Sequence, residues 1–291
     1  MNKLLWRIRL FLTHSGLAHV NSSHISIVVV GRNDNYGGDF PERLQATIDW
    51  NLRHLPGAEL IYIEWNKIEE KESDCLWIEK RYPGAKCYVV PGNIHKEIST
   101  NPKMPVMEYF AKNIAMRRSS REWILMINAD CFIGNDVIKN IGKLNRNYIY
   151  GTHYVSIKWD GKPIADYHMQ MKENVVFGFA ADRSLLAVVG NFILTHKQNW
   201  LNATGYDERL TNVRAGVDTN GVRQLLQQGL KTMVLGHHFH LDHPESIIHG
   251  VNQTHGSNAF NNIPYRNPEN WGLVDYPLKQ ISERIWLLEK T

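Results

Sequence analysis

Apolar positions along the chain follow two rhythms. Short unbroken runs rich in β-branched residues occur at Ser26 to Gly31, Leu60 to Ile63, Cys87 to Val90 and Trp123 to Ile127. Runs of that kind fit strands covered on both faces, as in a parallel sheet. Between them the spacing changes to threes and fours. Leu44, Ile48, Leu52 and Leu55 form a stripe that starts after Pro41 and stops at Pro56-Gly57, the start and stop signals of a helix. Residues 67–82, with Ile68, Cys75, Leu76 and Ile78, predict a second helix. Residues 106–118, with Met107, Phe110, Ile114 and Met116, predict a third. Strands alternating with helices predict a doubly wound α/β sheet with ligands at the carboxyl ends of its strands.

The rhythm changes after about residue 148, where 150–160 and 174–180 predict strands of an antiparallel or mixed part. Residues 215–228 read as a loop that becomes a helix, closed by Gly229, and Thr232 to Leu235 as a last strand running into His237-His238-Phe239-His240. Leu278, Ile281, Ile285 and Leu288 share one helical stripe and predict a terminal helix within 276–289. No repeat or linker divides the chain, so one main domain over 25–245 is expected. An extension over 1–24 precedes it, and a loop and helix over 246–291 follow.

Composition narrows the function classes. The 33 Lys and Arg against 29 Asp and Glu leave a net charge of +4, scattered rather than blocked, so no nucleic-acid partner is implied. Three cysteines without a CxxC pair suggest neither a disulfide framework nor a zinc site, and a reducing, cytoplasmic setting is expected. The sequons at Asn21, Asn202 and Asn252 are then chance matches. No apolar run approaches the ~18 residues of a spanning helix. Residues 1–17 interleave Leu4, Leu5, Trp6, Ile8, Leu10, Phe11 and Leu12 with Lys3, Arg7 and Arg9. That is a basic amphipathic helix, covered either by the domain's own flank or by a membrane surface.

Three groups of residues carry chemistry. Asn128-Ala129-Asp130 follows the WILMI strand, where a carboxylate can hold Mg2+ or Mn2+ against a diphosphate, or simply cap a helix. Asp218, before a helix that also carries Arg223, would stay ionised at the helix N-terminus and could act as a base. His237, His238, His240 and His243 crowd the end of the last strand. Residues i and i+3 of a strand do not share a face, so one imidazole, His240 or His243, is expected to join Asp130 on a metal.

Taken together, residues 25–245 resemble the GT-A family of nucleotide-sugar glycosyltransferases, of the family 2 type with a galactosyltransferase-like C-terminal region. SIVVVGRND is similar to that family's first nucleotide-binding strand and loop. EYFAKNIAMRRSSREWILMINAD is similar to the stretch ending in its DxD motif. GVDTNGVRQLLQQG resembles its ED-containing helix, and HLDHP its metal-completing histidine segment. The resemblance implies a GT-A mixed sheet with a nucleotide-sugar half over about 25–150 and an acceptor half over about 151–245. It implies that Gly31, Arg32, Asn33 and Glu64 hold the nucleoside, with Lys112, Asn113, Asn128 and Ala129 beside them. It implies a Mn2+ or Mg2+ ion on Asp130 with His240 or His243, and Asp218 as the base of an inverting transfer to a saccharide or lipid-linked glycan. Trp200, with Tyr206, Tyr167 and Trp159, is a candidate sugar-stacking face. Asn128 replaces the first Asp of DxD, and Val217 the Glu of the ED pair. Both motivate an alternative, a domain that binds nucleotide-sugar without turnover. A nucleotidyltransferase fits less well, because RNDNYGGD lacks a following basic cluster, and the absence of GxGxxG disfavours a Rossmann oxidoreductase.

Overall fold

The computed structural model describes residues 18–161, 163–164, 175–179, 190–213, 216–244, 263 and 265–290. The expected helix over 1–17 and Tyr167 lie outside them. In chain order the strands are β1 (Ala18–His19), β2 (Ile25–Gly31), β3 (Glu59–Lys67), β4 (Lys86–Pro91), β5 (Trp123–Ile127), β6 (Cys131–Ile133), β7 (Lys143–Leu144), β8 (Tyr148–Ile157), β9 (Val175–Phe179), β10 (Phe192–His196), β11 (Lys231–Leu241), β12 (Leu278–Gln280) and β13 (Ile285–Leu288). The helices are α1 (Phe40–His54), α2 (Asp74–Arg81), α3 (Gly92–Ile98), α4 (Glu108–Arg118), α5 (Asn135–Asn140), α6 (Lys197–Ala203) and α7 (Val217–Leu226).

Among the described residues, eleven strands form one mixed sheet in the order β12-β13-β4-β3-β2-β5-β10-β8-β11-β6, with β9 also paired to β8; β1 and β7 pair separately. Strands β13, β4, β3, β2 and β5 are mutually parallel. β10 then runs antiparallel to β5. The chain winds outward from β2 through β3 to β4 and returns to the other side of β2 as β5. The strand order therefore reverses between β2 and β5, and the loops after those two strands open a crevice.

Why β2 reads as an unbroken apolar run is now plain. Ile27 and Val29 enter the core beneath α1, with Leu44, Ile48 and Trp50. Val28 enters the core on the opposite face, with Ile114, Met126 and Trp200 from α4, β5 and α6. With both faces covered, no position is left for polar alternation.

Two expectations need correction. The stripe Leu278, Ile281, Ile285, Leu288 is not a helix. β12 and β13 form an antiparallel hairpin whose second strand extends the parallel sheet beside β4. Only Ile285 and Leu288 are buried, whereas Leu278 and Ile281 are exposed. The last strand of the main fold also runs well past Leu235, through Leu241. No described helix is long and apolar enough to cross a membrane.

Candidate functional site

Asp130 lies three residues past β5, beside the crevice. β6 follows at once and pairs antiparallel with the end of β11, setting Cys131 opposite His240. Leu241 N–H donates to the Asp130 carbonyl at 2.9 Å. Asp242 N–H still donates to the Ile157 carbonyl at 2.9 Å, and His243 lies just past the end of β11, outside regular strand alternation, so both histidines reach the carboxylate rather than one. Nε2 of His240 is 3.5 Å from Asp130 Oδ2, and Nε2 of His243 is 3.3 Å away. The three side chains are buried, and their ligand atoms lie within 4.8 Å of one another. Burial alone would raise the Asp130 carboxyl; the two imidazoles outweigh it and hold the group well below the usual carboxylate range.

The surroundings fit a divalent cation. Ser156 Oγ sits 3.0 Å from His240 Nδ1, from the neighbouring strand β8. With Nε2 on a cation beside Asp130, Nδ1–H would be accepted by Ser156 Oγ, the usual support for a ligating histidine. His243 is packed edge-on by Tyr36, with ring centroids 4.7 Å apart. A Cβ at Gly37, which has a φ of +74°, would fall 2.7 Å from His243 Nδ1. Only glycine lets the loop after β2 lie that close. An oxygen and two nitrogens form a mixed donor set that suits Mn2+ better than Mg2+, which prefers oxygen.

The other predicted residues fall into two groups. Near the crevice, Arg32 donates to the Asn66 carbonyl at 2.9 Å and to Asp34 at 3.0 Å. Gly31 packs against Tyr62 and Phe40. Asn33 is turned to structural work, gripping the loop after β3 through the Ile68 amide and the Ile68 and Glu72 carbonyls. Ala129 accepts from Thr47 Oγ1 through its carbonyl. Asn128 donates to Asn191 at 3.3 Å, while its buried Oδ1 has no protein partner among the described residues.

Asp218 is tied to the same crevice through the residues before β10. Gly190 N–H donates to Asp218 Oδ2 at 2.8 Å, and the Gly190 carbonyl accepts from buried Lys112 at 3.0 Å. Lys112 also pairs with Glu108. Asn191, next in the chain, bonds Asn128 through backbone and side chain. Asp218 thus sits one short segment away from the residues after β5. Burial raises its carboxyl above the ordinary value, the Thr219 and Gly190 amides and Lys112 opposing that rise. Arg223 lies further along α7, half-buried.

Three expected ligand contacts are buried instead. Glu64 is fully inaccessible; its oxygens accept from Ser73 Oγ and the Asp74 amide, so it caps the start of α2 rather than facing a nucleoside. Burial pushes it up to about 7. Trp200 is fully buried against Tyr206, itself buried, and neither ring has a face open to a sugar. Asn113 is buried too, bonding the Tyr206 backbone in both directions and Glu208. Ser156 was not legible in the sequence, because β8 meets the site only through long-range pairing; Glu108 and Gly190-Asn191 lie in segments that resemble the family, but their link to Asp218 through Lys112 was not legible.

No family model and no curated protein matches the chain. Among solved structures it is similar to a mannosyltransferase from Pyrobaculum calidifontis in complex with GDP-Man and Mn2+, with a TM-score of 0.46 and 12% identity over 81% of this chain. The likeness covers 63% of that enzyme's chain, less than two thirds of its length.

Proposed function

We propose that the chain is a metal-dependent glycosyltransferase. It would move a sugar from a nucleotide-diphosphate sugar to a hydroxyl of a saccharide or lipid-linked glycan, with inversion. The observation that carries this reading is the buried Asp130–His240–His243 cluster directly after β5, beside the point where the parallel sheet reverses its order. The GT-A resemblance of residues 25–245 agrees with that position.

Asp130, His240 and His243 would hold a Mn2+ ion, which when bound would supply Lewis-acid stabilisation of the leaving diphosphate. The chain's own residues do the rest. The loop of Gly31 and Arg32 borders the space for the nucleoside. Asn128 Oδ1, a buried acceptor without a protein partner, is suited to a donor hydroxyl. Asp218 takes the proton from the acceptor hydroxyl. Its raised affinity for a proton favours that role, and the Gly190 amide fixes one of its oxygens. Lys112 positions Gly190 and thereby Asp218.

The test is release of nucleoside diphosphate from a panel of nucleotide-sugars with Mn2+, with and without saccharide acceptors. Acceptor-dependent release lost in Asp130→Ala supports the reading; no release and no thermal shift with any nucleotide-sugar refutes it. A binding-only domain is favoured by one observation: the Asp218 carboxylate already accepts from two backbone amides. It predicts a thermal shift without release. Cytoplasmic location with residues 1–17 on a membrane surface belongs to the same proposal, and co-sedimentation with anionic vesicles tests it.

A further inference from the structure

β11 carries a second histidine arrangement, apart from the cluster on Asp130. Strands β11 and β8 run parallel, and their register slips by one residue between Val234 and His237. Val234 pairs with Gly151 and His237 with His153, so three steps on β11 match two on β8. A bulge of this kind re-aims every side chain that follows it. It sets His237 directly across from His153, their ring centroids 4.8 Å apart. Strand alternation then turns His237 to the face opposite His238 and His240.

Asp136, from α5, backs this pair. Its Oδ2 lies 2.5 Å from His237 Nδ1, and its Oδ1 accepts the His237 backbone amide at 3.0 Å. A Cβ at Gly236 would run into the Asp136 carboxylate. The glycine in the bulge is what admits the carboxylate. The result is a carboxylate that can hold Nδ1–H of the imidazole and so leave Nε2 as its ligating atom, as in carboxylate–histidine–metal triads. His237 is 46% exposed, so an ion can reach it.

We propose that His237 and His153, with Asp136 behind His237, form a second cation site on the outer face of the sheet, selective for imidazole-preferring late transition ions such as Ni2+, Cu2+ or Zn2+. Asp136 acts there as a positioning residue and not as a ligand. Mg2+ and Ca2+, which need several oxygens, are excluded. The bulge gives β11 histidines on two faces: His240 inward to Asp130, His237 outward to Asp136.

The test uses the full-length protein, with Ni2+ as the probe and calorimetric titration as the readout. An Asp130→Asn/His240→Gln double variant disables the first cluster. Under the proposal it still takes up one Ni2+ per chain. Adding His237→Gln or His153→Gln abolishes that uptake, and adding Asp136→Asn weakens it by about 10- to 100-fold. A double variant that takes up no Ni2+, or uptake indifferent to His237→Gln and His153→Gln, overturns the proposal. Wild-type protein provides a check that needs no variant to fold. With Cu2+ in excess of one ion per chain, so that the cluster on Asp130 is already filled, the ring-proton signals of His153 and His237 should broaden as well as those of His240 and His243; signals of His153 and His237 left unbroadened refute the site.

Discussion

Ser156→Ala tests the metal reading through a residue that touches no substrate. Ser156 and His240 are both buried, and the Oγ–Nδ1 separation of 3.0 Å is that of an ordinary hydrogen bond. Removing Oγ leaves Nδ1 facing a methyl group where no water is expected to replace it. An unsatisfied buried polar group costs about 1–3 kcal/mol, so the urea midpoint of the metal-free protein should fall accordingly. With a cation on Nε2, the proton of the ring must sit on Nδ1, where Ser156 Oγ can accept it and so orient the ligating ring; without Oγ that support is lost. Losing such support weakens metal binding by about 10- to 100-fold, or about 1.4–2.7 kcal/mol. Free Mn2+ measured by electron paramagnetic resonance during titration reads that affinity directly. Thr152→Val is the control. It removes an equivalent bond, 2.7 Å from Thr152 Oγ1 to His238 Nδ1, from a histidine outside the cluster. It should lower stability and leave Mn2+ affinity unchanged. The reasoning fails if Ser156→Ala binds Mn2+ within about twofold of wild type while losing stability, because Ser156 would then serve packing alone.

Three further outcomes are expected. Asp218→Asn should retain the thermal shift with nucleotide-sugar and lower turnover by roughly 10²–10⁴-fold, the usual contribution of a positioned base; near-normal steady-state turnover excludes Asp218 from that role. Of the divalent ions, Mn2+ should raise the melting temperature at lower concentration than Mg2+, because two of the three donors are imidazoles, and excess chelator should abolish turnover. Glu64 binds its proton more tightly in the folded state, up to about 7 against 4.5, so the folded protein holds more protons than the unfolded one in that window. Stability should therefore fall as pH rises from about 4.5 to 7, and Glu64→Gln should flatten that slope in urea midpoints measured across it.

Much of the parallel half was legible in the sequence because burial on both faces leaves a local signature. β2 and β5, ISIVVVG and WILMI, carry apolar residues at almost every position with no polar alternation, and the residues after them could be placed at the crevice without knowing any contact. Asp130 could be placed there in that way, and the histidines stood out only as a cluster at the end of the last strand. Their joint geometry was not legible, since it depends on β6 pairing with β11 and on the path of the chain past the end of β11. Motif matching misled where a conserved-looking side chain does structural work. Asn113 clamps the Tyr206 backbone, Trp200 fills the core beneath α7, and Glu64 caps α2. None of these roles has a local signature, because each partner is remote or the same residue type suits both roles. The C-terminal error has a simpler cause. A spacing of three, four and three also arises from two short strands and the turn between them. Pairing of β13 with β4 then decided the matter over helical preference.

That pairing shapes how the protein is made. β4 emerges early in synthesis, after β2 and its partner β3, yet its outer edge is covered by β13, which follows almost the whole of the remaining fold. For that interval the nascent sheet presents an unpaired row of amides and carbonyls flanked by Tyr88, Val89 and Val90. Shielding of that edge, by a chaperone or by the hairpin itself, becomes the step at which correct folding and association between nascent chains compete.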